Sequence, residues 1–414
     1  MHLLLIGYND TALAALDDCR PPGSVTLIEE KDLWDAKNLA PRAAKHACLG
    51  TVLFGRYQQD DHFLEAVRTA GPFDAVVAGL EYAVVAAAQA AELLGLAGAG
   101  TDAAMILRDK LRLREVTSSA GMTGPAFREI HCAADIADFA RGRACVVKPA
   151  GRQASLGVLL LEAGADVEQA WQDCSQADEG VQLAKRPMEW RYLVEERMYG
   201  PEFSTEALVR EGTVTFCNLT RKYTLPGPSP VETGHTVAGR TDPVWAREVQ
   251  RLVDAIGYGS GILHAEWVLT DAGPQLIECA GRPPGDRIMD LIDLVYATNI
   301  HDRWIGMLLG EESGQHQGEL TPRCAAAIRF LTGAGPGTID HIQGVDLARS
   351  LPRVERVDIS RSPGDVVKDV RSSWDRLGLV IATGATAAEA EAAADRAASS
   401  VTISMREIST VHNS

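Results

Sequence analysis

The sequence predicts an α/β fold that opens with a doubly wound, largely parallel sheet. Three observations predict it. Short apolar runs at Leu3-Leu4-Leu5-Ile6, Val25-Thr26-Leu27-Ile28 and Ala75-Val76-Val77-Ala78 have the length and composition of buried strands. Segments with helical spacing, Thr11 to Asp18 and His62 to Ala70, separate them. At 414 residues the chain is too long for one core, which suggests roughly two to four domains.

Taken in order, the turn after the first strand is Gly7-Tyr8-Asn9-Asp10, without the repeated glycines that let a dinucleotide pyrophosphate approach the backbone. No NAD site is assigned here; Glu29 and Glu30 after the second strand could bind a ribose in a true dinucleotide fold, but the glycines of that fold are missing. From Thr101 to Pro125 the pattern is a helix pair, ended by Thr123-Gly124-Pro125. Residues 126–185 read as a small α/β unit containing the strand Ala144-Cys145-Val146-Val147-Lys148. Residues 191–280 carry strands at hairpin spacing, notably Tyr192 to Glu196 and Phe203 to Val209. Gly310 to Gly318 is the clearest linker. After it come strands at Cys324 to Leu331, Arg356 to Ile359 and Leu379 to Ala382, and an Ala-rich helix from Thr386 to Ser399.

Hydrophobic content of 46% and charged content of 23% are ordinary for a soluble globular chain. A net charge of −16 argues against a general affinity for nucleic acid or anionic membrane, since both need a basic surface. Met1 to Gly7 is too short and lacks the basic leader of a signal peptide, and no later stretch reaches the length of a membrane span. A cytoplasmic enzyme is expected. The 8 cysteines are scattered, with no Cys-x-x-Cys pair and no zinc spacing, so they read as reduced.

The most informative stretch runs from His264-Ala265-Glu266-Trp267-Val268-Leu269-Thr270, through Asp271-Ala272-Gly273, to Pro274-Gln275-Leu276-Ile277-Glu278-Cys279-Ala280. As a hairpin with a three-residue loop, it pairs Thr270 with Pro274, Val268 with Leu276 and Glu266 with Glu278. Directly opposed side chains have Cβ atoms about 5 Å apart, and two carboxylates there repel unless something positive sits between them. A divalent cation is the simplest candidate, because hard cations such as Mg²⁺ take carboxylate, water and phosphate oxygens. A solvated surface hairpin is the alternative. Lys148, at a strand end, precedes the small-residue loop Gly151 to Gly157, whose backbone N–H groups could bond phosphate oxygens. The usual phosphate loop is absent, as are the protein-kinase signatures.

Asp109-Lys110-Leu111-Arg112 adds a second lysine upstream, and Val194-Glu195-Glu196-Arg197-Met198-Tyr199-Gly200-Pro201-Glu202 a strand running into a turn. Two lysines, a small-residue loop, an acidic strand-to-turn segment and paired carboxylates before an arginine, in this order, resemble the ATP-grasp superfamily. Val231-Glu232-Thr233-Gly234-His235-Thr236 and Ile277-Glu278-Cys279-Ala280-Gly281-Arg282-Pro283-Pro284-Gly285-Asp286 narrow this to its carboxylate–amine ligase branch. The segments Ala326 to Leu331, Gly335 to Gly337 and Gly384 to Ala393 are similar to the extra C-terminal domain of bacterial L-amino acid ligases. The resemblance implies an ATP-grasp fold: an N-terminal α/β domain over 1–104, an ATP-grasp domain over 105–318 with a lid at about 126–185, and a C-terminal α+β domain over 319–414.

Carried over residue by residue, the resemblance implies that Lys110 and Lys148 contact the phosphates of ATP and that the loop with Ser155, Leu156 and Gly157 closes over them. Glu195, Glu196 and Met198 would lie along the adenine, with Glu202 at the ribose. Glu266 and Glu278 would hold Mg²⁺, or Mn²⁺ in its place. Arg282 would stabilise a phosphorylated intermediate, which suits a guanidinium that stays charged and bonds two oxygens at once. His235, in what reads as a loop, would bind substrate or handle a proton. His264 is expected to be a structural neighbour of Glu266, and Lys222 and Arg329 are further candidate contacts. Two departures stand out: Ala280 replaces an asparagine ligand common in the superfamily, and Pro284-Gly285 replaces a flexible Gly-Gly. The implied reaction joins a carboxylate and an amine, both expected to be amino acids, through an acyl phosphate in a homodimeric enzyme. An ATP-grasp reaction on other reactants and a non-catalytic nucleotide-binding protein are the alternatives.

Overall fold

Residues 1–239, 241–311 and 320–406 are described by the computed structural model of the chain. Four parallel strands open it: β1 (Leu3–Ile6), β2 (Val25–Glu29), β3 (Leu49–Phe54) and β4 (Ala75–Ala78), in spatial order β3-β2-β1-β4. The apolar runs gave three of these. β3 escaped notice because it is an edge strand, half exposed and interrupted by Gly50 and Thr51. Gly7 has φ +81°, and a Cβ there would meet Leu80 Cγ at 2.7 Å, so the turn after β1 needs its glycine. Asn9 then caps the helix Asp10–Asp17, its side-chain oxygen accepting from Ala12 N at 3.0 Å. Glu29 and Glu30 are used internally: Glu29 accepts from the amides of Tyr8 and Glu30 and from the Tyr57 hydroxyl, while Glu30 pairs with Arg186.

The expected helix pair is Thr101–Leu107 and Lys110–Ser119, the second capped by Asp109, which accepts from Leu111 N at 2.9 Å. Next come β5 (Phe127–Ile130), β6 (Cys145–Pro149), β7 (Leu159–Leu161) and β8 (Tyr192–Glu196), an antiparallel sheet in the order β5-β8-β6-β7. Helices Ala133–Ala140 and Val167–Ser175 pack on it through Ile136, Ala140, Ala170 and Cys174. Hairpin spacing grouped Tyr192 to Glu196 with the strands that follow. Instead β8 returns to the small sheet, because its alternate residues Val194 and Tyr192 complete that core.

The remaining strands are β9 (Glu202–Arg210), β10 (Thr213–Thr224), β11 (Glu232–Val237), β12 (Gly261–Thr270), β13 (Gly273–Ala280), β14 (Ala325–Leu331), β15 (Gly337–Gln343), β16 (Val354–Ile359), β17 (Val366–Val367), β18 (Gly378–Gly384) and β19 (Thr402–Arg406). One antiparallel sheet of eight runs β13-β12-β9-β10-β11-β14-β18-β16, and β17-β15-β19 form a second of three. Strands from the C-terminal block therefore continue the central sheet, joined at β11–β14 with His235 opposite Ile328. His235 lies on strand β11, not in the expected loop; Gly234 and Thr233 had suggested a turn, but pairing on both edges extends the segment. Most of the expected linker, residues 312–318, lies outside the described residues.

Helices Ile288–Tyr296 and Ile300–Leu308 fill the space between the N-terminal and central sheets. Their buried faces share one core with Leu3, Leu5 and Leu13 on one side and Leu208, Ile262 and Ile328 on the other. Each such side chain contributes about 1.5–3 kcal/mol on burial, so the two sheets are held as walls of whatever lies between them. Among the described residues no helix is long and apolar enough to cross a membrane.

Candidate active site

Glu266 and Glu278 are opposed across β12 and β13, by a different route from the one the sequence suggests. The loop is tighter, with Thr270 opposite Gly273, Val268 opposite Gln275 and Trp267 opposite Leu276. A β-bulge then leaves Ile277 without a partner and restores Glu266 to Glu278. The three-residue loop was thus an error that the bulge cancels.

Positive groups already attend both carboxylates. Lys222 Nζ bonds Oε1 of Glu266 and lies 3.3 Å from Glu232 Oε1. His264 bridges Glu206 Oε1 through Nδ1 at 3.0 Å and Glu266 Oε1 through Nε2 at 3.2 Å. Lys110 Nζ lies 3.2 Å from Oε2 of Glu278. Burial alone raises the Glu266 carboxyl, but Lys222 and His264 outweigh it and hold it well below the usual range. Burial likewise lowers His264, yet its bonds to Glu206 and Glu266 push it up to about 9. For Lys222 the cost of burial is overcome by Glu266, Glu232 and Glu202, so it stays charged. These contacts leave Oε2 of Glu266 and Oε1 of Glu278 with no hydrogen bond among the described residues. Two free carboxylate oxygens from facing strands fit the donor set of Mg²⁺. Ala280 offers no third side-chain ligand.

Lys148 is 3% exposed, and its Nζ lies 2.7 Å from Glu195 Oε2. Arg114 takes the other oxygen at 2.5 Å and also donates to the carbonyls of Leu276 and Ile277. Burial raises the Glu195 carboxyl, but Arg114 and Lys148 bring it down to about 2. Burial pushes Lys148 below the ordinary lysine range, with Glu195 opposing. Glu195 thus commits its carboxylate to the two cations, whereas Glu196 and Met198 lie nearer the surface.

A cavity of about 380 Å³ brings together Lys110, Lys148, Ser155, Leu156, Glu195, Glu196, Met198, Glu202, Glu266 and Glu278. Burial raises the Glu202 carboxyl, with Lys222 acting the other way. Val146, Leu160, Val268 and Ile277 supply apolar wall. Gly157 does not line it. Its φ is +74°, and a Cβ there would meet Ala177 Cβ, the Cys174 carbonyl and Pro149 Cγ at 3.1 Å, so it folds the loop back against the small sheet.

Arg282 and His235 line an adjoining cavity of about 470 Å³, which shares Ser155, Lys222, Glu232, Glu266 and Glu278 with the first. Arg282 Nε lies 2.6 Å from Glu81 Oε2, and Arg108 takes the other oxygen at 2.5 Å. Burial raises the Glu81 carboxyl, but Arg282 and Arg108 hold it at about 2. His235 Nε2 lies 3.0 Å from Asp286 Oδ2, which Arg376 also contacts at 2.9 Å. Burial raises Asp286, and Arg376 and His235 together drive it well below the carboxylate range. The Arg376 guanidinium sits 3.7 Å over the Phe330 ring, which His235 meets edge-on at 5.6 Å. His235 Nδ1 is buried with no partner among the described residues. Asp286 and Arg287 have φ of +57° and +60°, a strained turn that aims Asp286 inward.

Arg329 lines neither cavity; it pairs with Asp395 at 2.6 Å and stacks on Tyr223, because β14 turns it toward the C-terminal helix. The sequence reading missed Glu81, Arg114, Glu206 and Arg376. Glu81 could have been found, since it follows a parallel strand where ligands of doubly wound sheets gather. The others carry no local pattern.

The ATP-grasp domain family matches residues 142–290, and the family described as L-amino acid ligase C-terminal domain 2 matches residues 329–406. A Sinorhizobium fredii protein, y4rH, itself uncharacterised, is 27% identical over 74% of this chain, and the match spans 63% of that relative's length, less than two thirds. An L-arginine-specific L-amino acid ligase of Bacillus subtilis is 22% identical, covering 73% of each chain. The crystal structure of an L-amino acid ligase from Bacillus licheniformis shares the fold with a TM-score of 0.79 and 20% identity, over 98% of this chain and 99% of that one. Residues 142–290 therefore form an ATP-grasp domain, and residues 329–406 a domain of the L-amino acid ligase C-terminal type.

Proposed function

We propose that this protein joins a carboxylate to an amine at the expense of ATP, with amino acids as the reactants and an acyl phosphate as the intermediate. The observation that carries the reading is the meeting of the two cavities at Glu266 and Glu278. The first, apolar on one wall and lysine-lined on the other, suits a nucleotide; the second, with Arg282, His235 and Asp286, suits the reactants. On this reading the chain divides into an N-terminal domain over 1–104, an ATP-grasp domain over 105–318 and a C-terminal domain over 319–414.

A carboxylate is a poor electrophile at neutral pH. Attack of its oxygen on the γ-phosphate of ATP gives an acyl phosphate and ADP; the amine then adds to the acyl carbon, loses a proton and expels phosphate, leaving an amide. The protein's part is alignment and charge neutralisation. Lys110 and Lys148 neutralise phosphate charge from the first cavity, and Arg282, steadied by Glu81, faces the second. Glu266 and Glu278 would hold Mg²⁺ through their free oxygens, and the ion would supply charge neutralisation when bound. His235, fixed through Nε2 by Asp286, would bind a reactant or handle the amine proton from the wall of the second cavity. The loop over Ser155 and Leu156 keeps water away from the intermediate.

The test is phosphate release from ATP and Mg²⁺ across pairs of L-amino acids, with mass spectrometry of active mixtures. Release that needs two amino acids, yields the mass of their condensation product and disappears in Glu278→Gln supports the reading. ATP binding with no amine-dependent release in any mixture rejects it.

A further inference from the structure

Among the described residues, one charged group on the wall of the second cavity has no counter-ion. Lys37, half-buried just after the short helix Lys31–Ala36 of the N-terminal sheet, lines it beside Tyr8, Asn9 and Tyr82. The ion pairs described above account for the other charged side chains there. The Lys37 ammonium makes no hydrogen bond and no ion pair within 4.0 Å among the described residues. The acids that act on it from farther away, Glu29 and Glu179, are engaged elsewhere: Glu29 by two amides and Tyr57, Glu179 by Tyr82 and Gln153. Burial lowers Lys37 below its ordinary range, the direction expected for an ammonium that has lost water without gaining a partner. Such a charge is costly to keep unless something anionic arrives to meet it.

We propose that Lys37 receives a substrate carboxylate other than the one being activated. This rests on the ligase reading above and deepens it: one reactant is anionic at a position remote from the new bond. The group is either an acidic side chain or the α-carboxylate of the amino acid that supplies the amine; both are carboxylates, and the ammonium meets either in the same way. Because Lys37 follows the helix after β2 and Arg282 lies in the loop after β13, the reactants span the two walls of the cavity.

The experiment compares reactant pairs that differ only in that charge: glutamate with glutamine for the side chain, alanine with alaninamide for the α-carboxylate. Phosphate release is measured for wild type, Lys37→Met, Lys37→Arg and Lys37→Glu. Wild type should favour the anionic member of one pair by about tenfold or more, the range for a hydrogen bond to a charged group. Lys37→Met should abolish that preference, Lys37→Arg should retain it in part, and Lys37→Glu should invert it. The responding pair identifies the source of the carboxylate. Equal loss on charged and neutral members in Lys37→Met overturns the proposal and makes Lys37 a distant counter-ion of Glu29. If no mixture turns over, the ligase reading fails separately, and calorimetry of the same four compounds with ADP and Mg²⁺ decides the subsite: tighter binding of an anionic member that is lost in Lys37→Met sustains it, and equal or absent binding rejects it.

Discussion

The main-chain carbonyl of Ile277 accepts from Nζ of Lys148 at 3.4 Å, and Ile277 is the residue that the β12–β13 ladder skips. The bulge thus turns a carbonyl toward Lys148 and Arg114, and it sets Glu278 opposite Glu266. A ladder without it would send Glu278 to the other face, since a slip of one residue reverses every side chain that follows.

Lys148 carries the first prediction. Lys148→Met leaves Glu195 to Arg114 alone and removes a cation from the first cavity. The KM for ATP should rise about tenfold or more, as expected for a lost charge-assisted contact. Lys148→Arg should not rescue it, because a planar guanidinium does not fit the space of a buried ammonium. Initial rates with ATP varied check this; an unchanged KM contradicts it.

The two glutamates should separate by stability. Glu266→Gln strips Lys222 and His264 of a shared anion inside the protein, whereas Glu278→Gln loses one partner at 3.2 Å on a side chain that is 37% exposed. Both variants should lose phosphate release. Only Glu266→Gln should unfold more easily, by up to about 3 kcal/mol, the scale for breaking a buried pair. Urea denaturation of the two variants measures the difference.

His264 makes stability depend on pH in a defined window. Its folded value is raised to about 9 from an ordinary 6.5, so the protonated form is bound more tightly by the fold. The contribution is fully present below pH 6.5 and is lost as pH rises through about 9. Its size is on the order of 3 kcal/mol. The stability gap between wild type and His264→Asn should therefore be largest in mild acid and should close in mild base. A gap that stays constant from pH 6 to pH 9.5 would falsify the assignment of that charge.

How far these features were legible depends on how local they are. Three of the four parallel strands, β1, β2 and β4, announce themselves because each is a buried apolar run whose meaning needs no partner. The loop after β6 and the carboxylate pair were legible through order and residue type. The bulge at Ile277 was not, because nothing in Leu276-Ile277-Glu278 says which residue the ladder omits; that is set by Arg114 and Lys148, distant in sequence. For the same reason His235 read as a loop residue, since its strand is defined by β10 and β14 on either side. Arg376 lay beyond any motif: its meaning is Asp286, 90 residues earlier.

That last pair gives the sharpest test of the two-cavity arrangement. Asp286 holds His235 through Nε2, and Arg376 holds Asp286 while stacking on Phe330, so the guanidinium acts on the histidine through the carboxylate. Arg376→Met removes the clamp without touching the first cavity. Turnover at saturating ATP should fall about tenfold or more, as for a misplaced proton-handling group, with the KM for ATP unchanged. Asp286→Asn should share this signature, because Asn can keep a bond to His235 but not the charge. The Lys148 variant should show the opposite split, with the effect falling on ATP. If Arg376→Met instead raises the KM for ATP as much as it lowers turnover, the two cavities are not separate in function, and the division of labour between Lys148 and His235 fails.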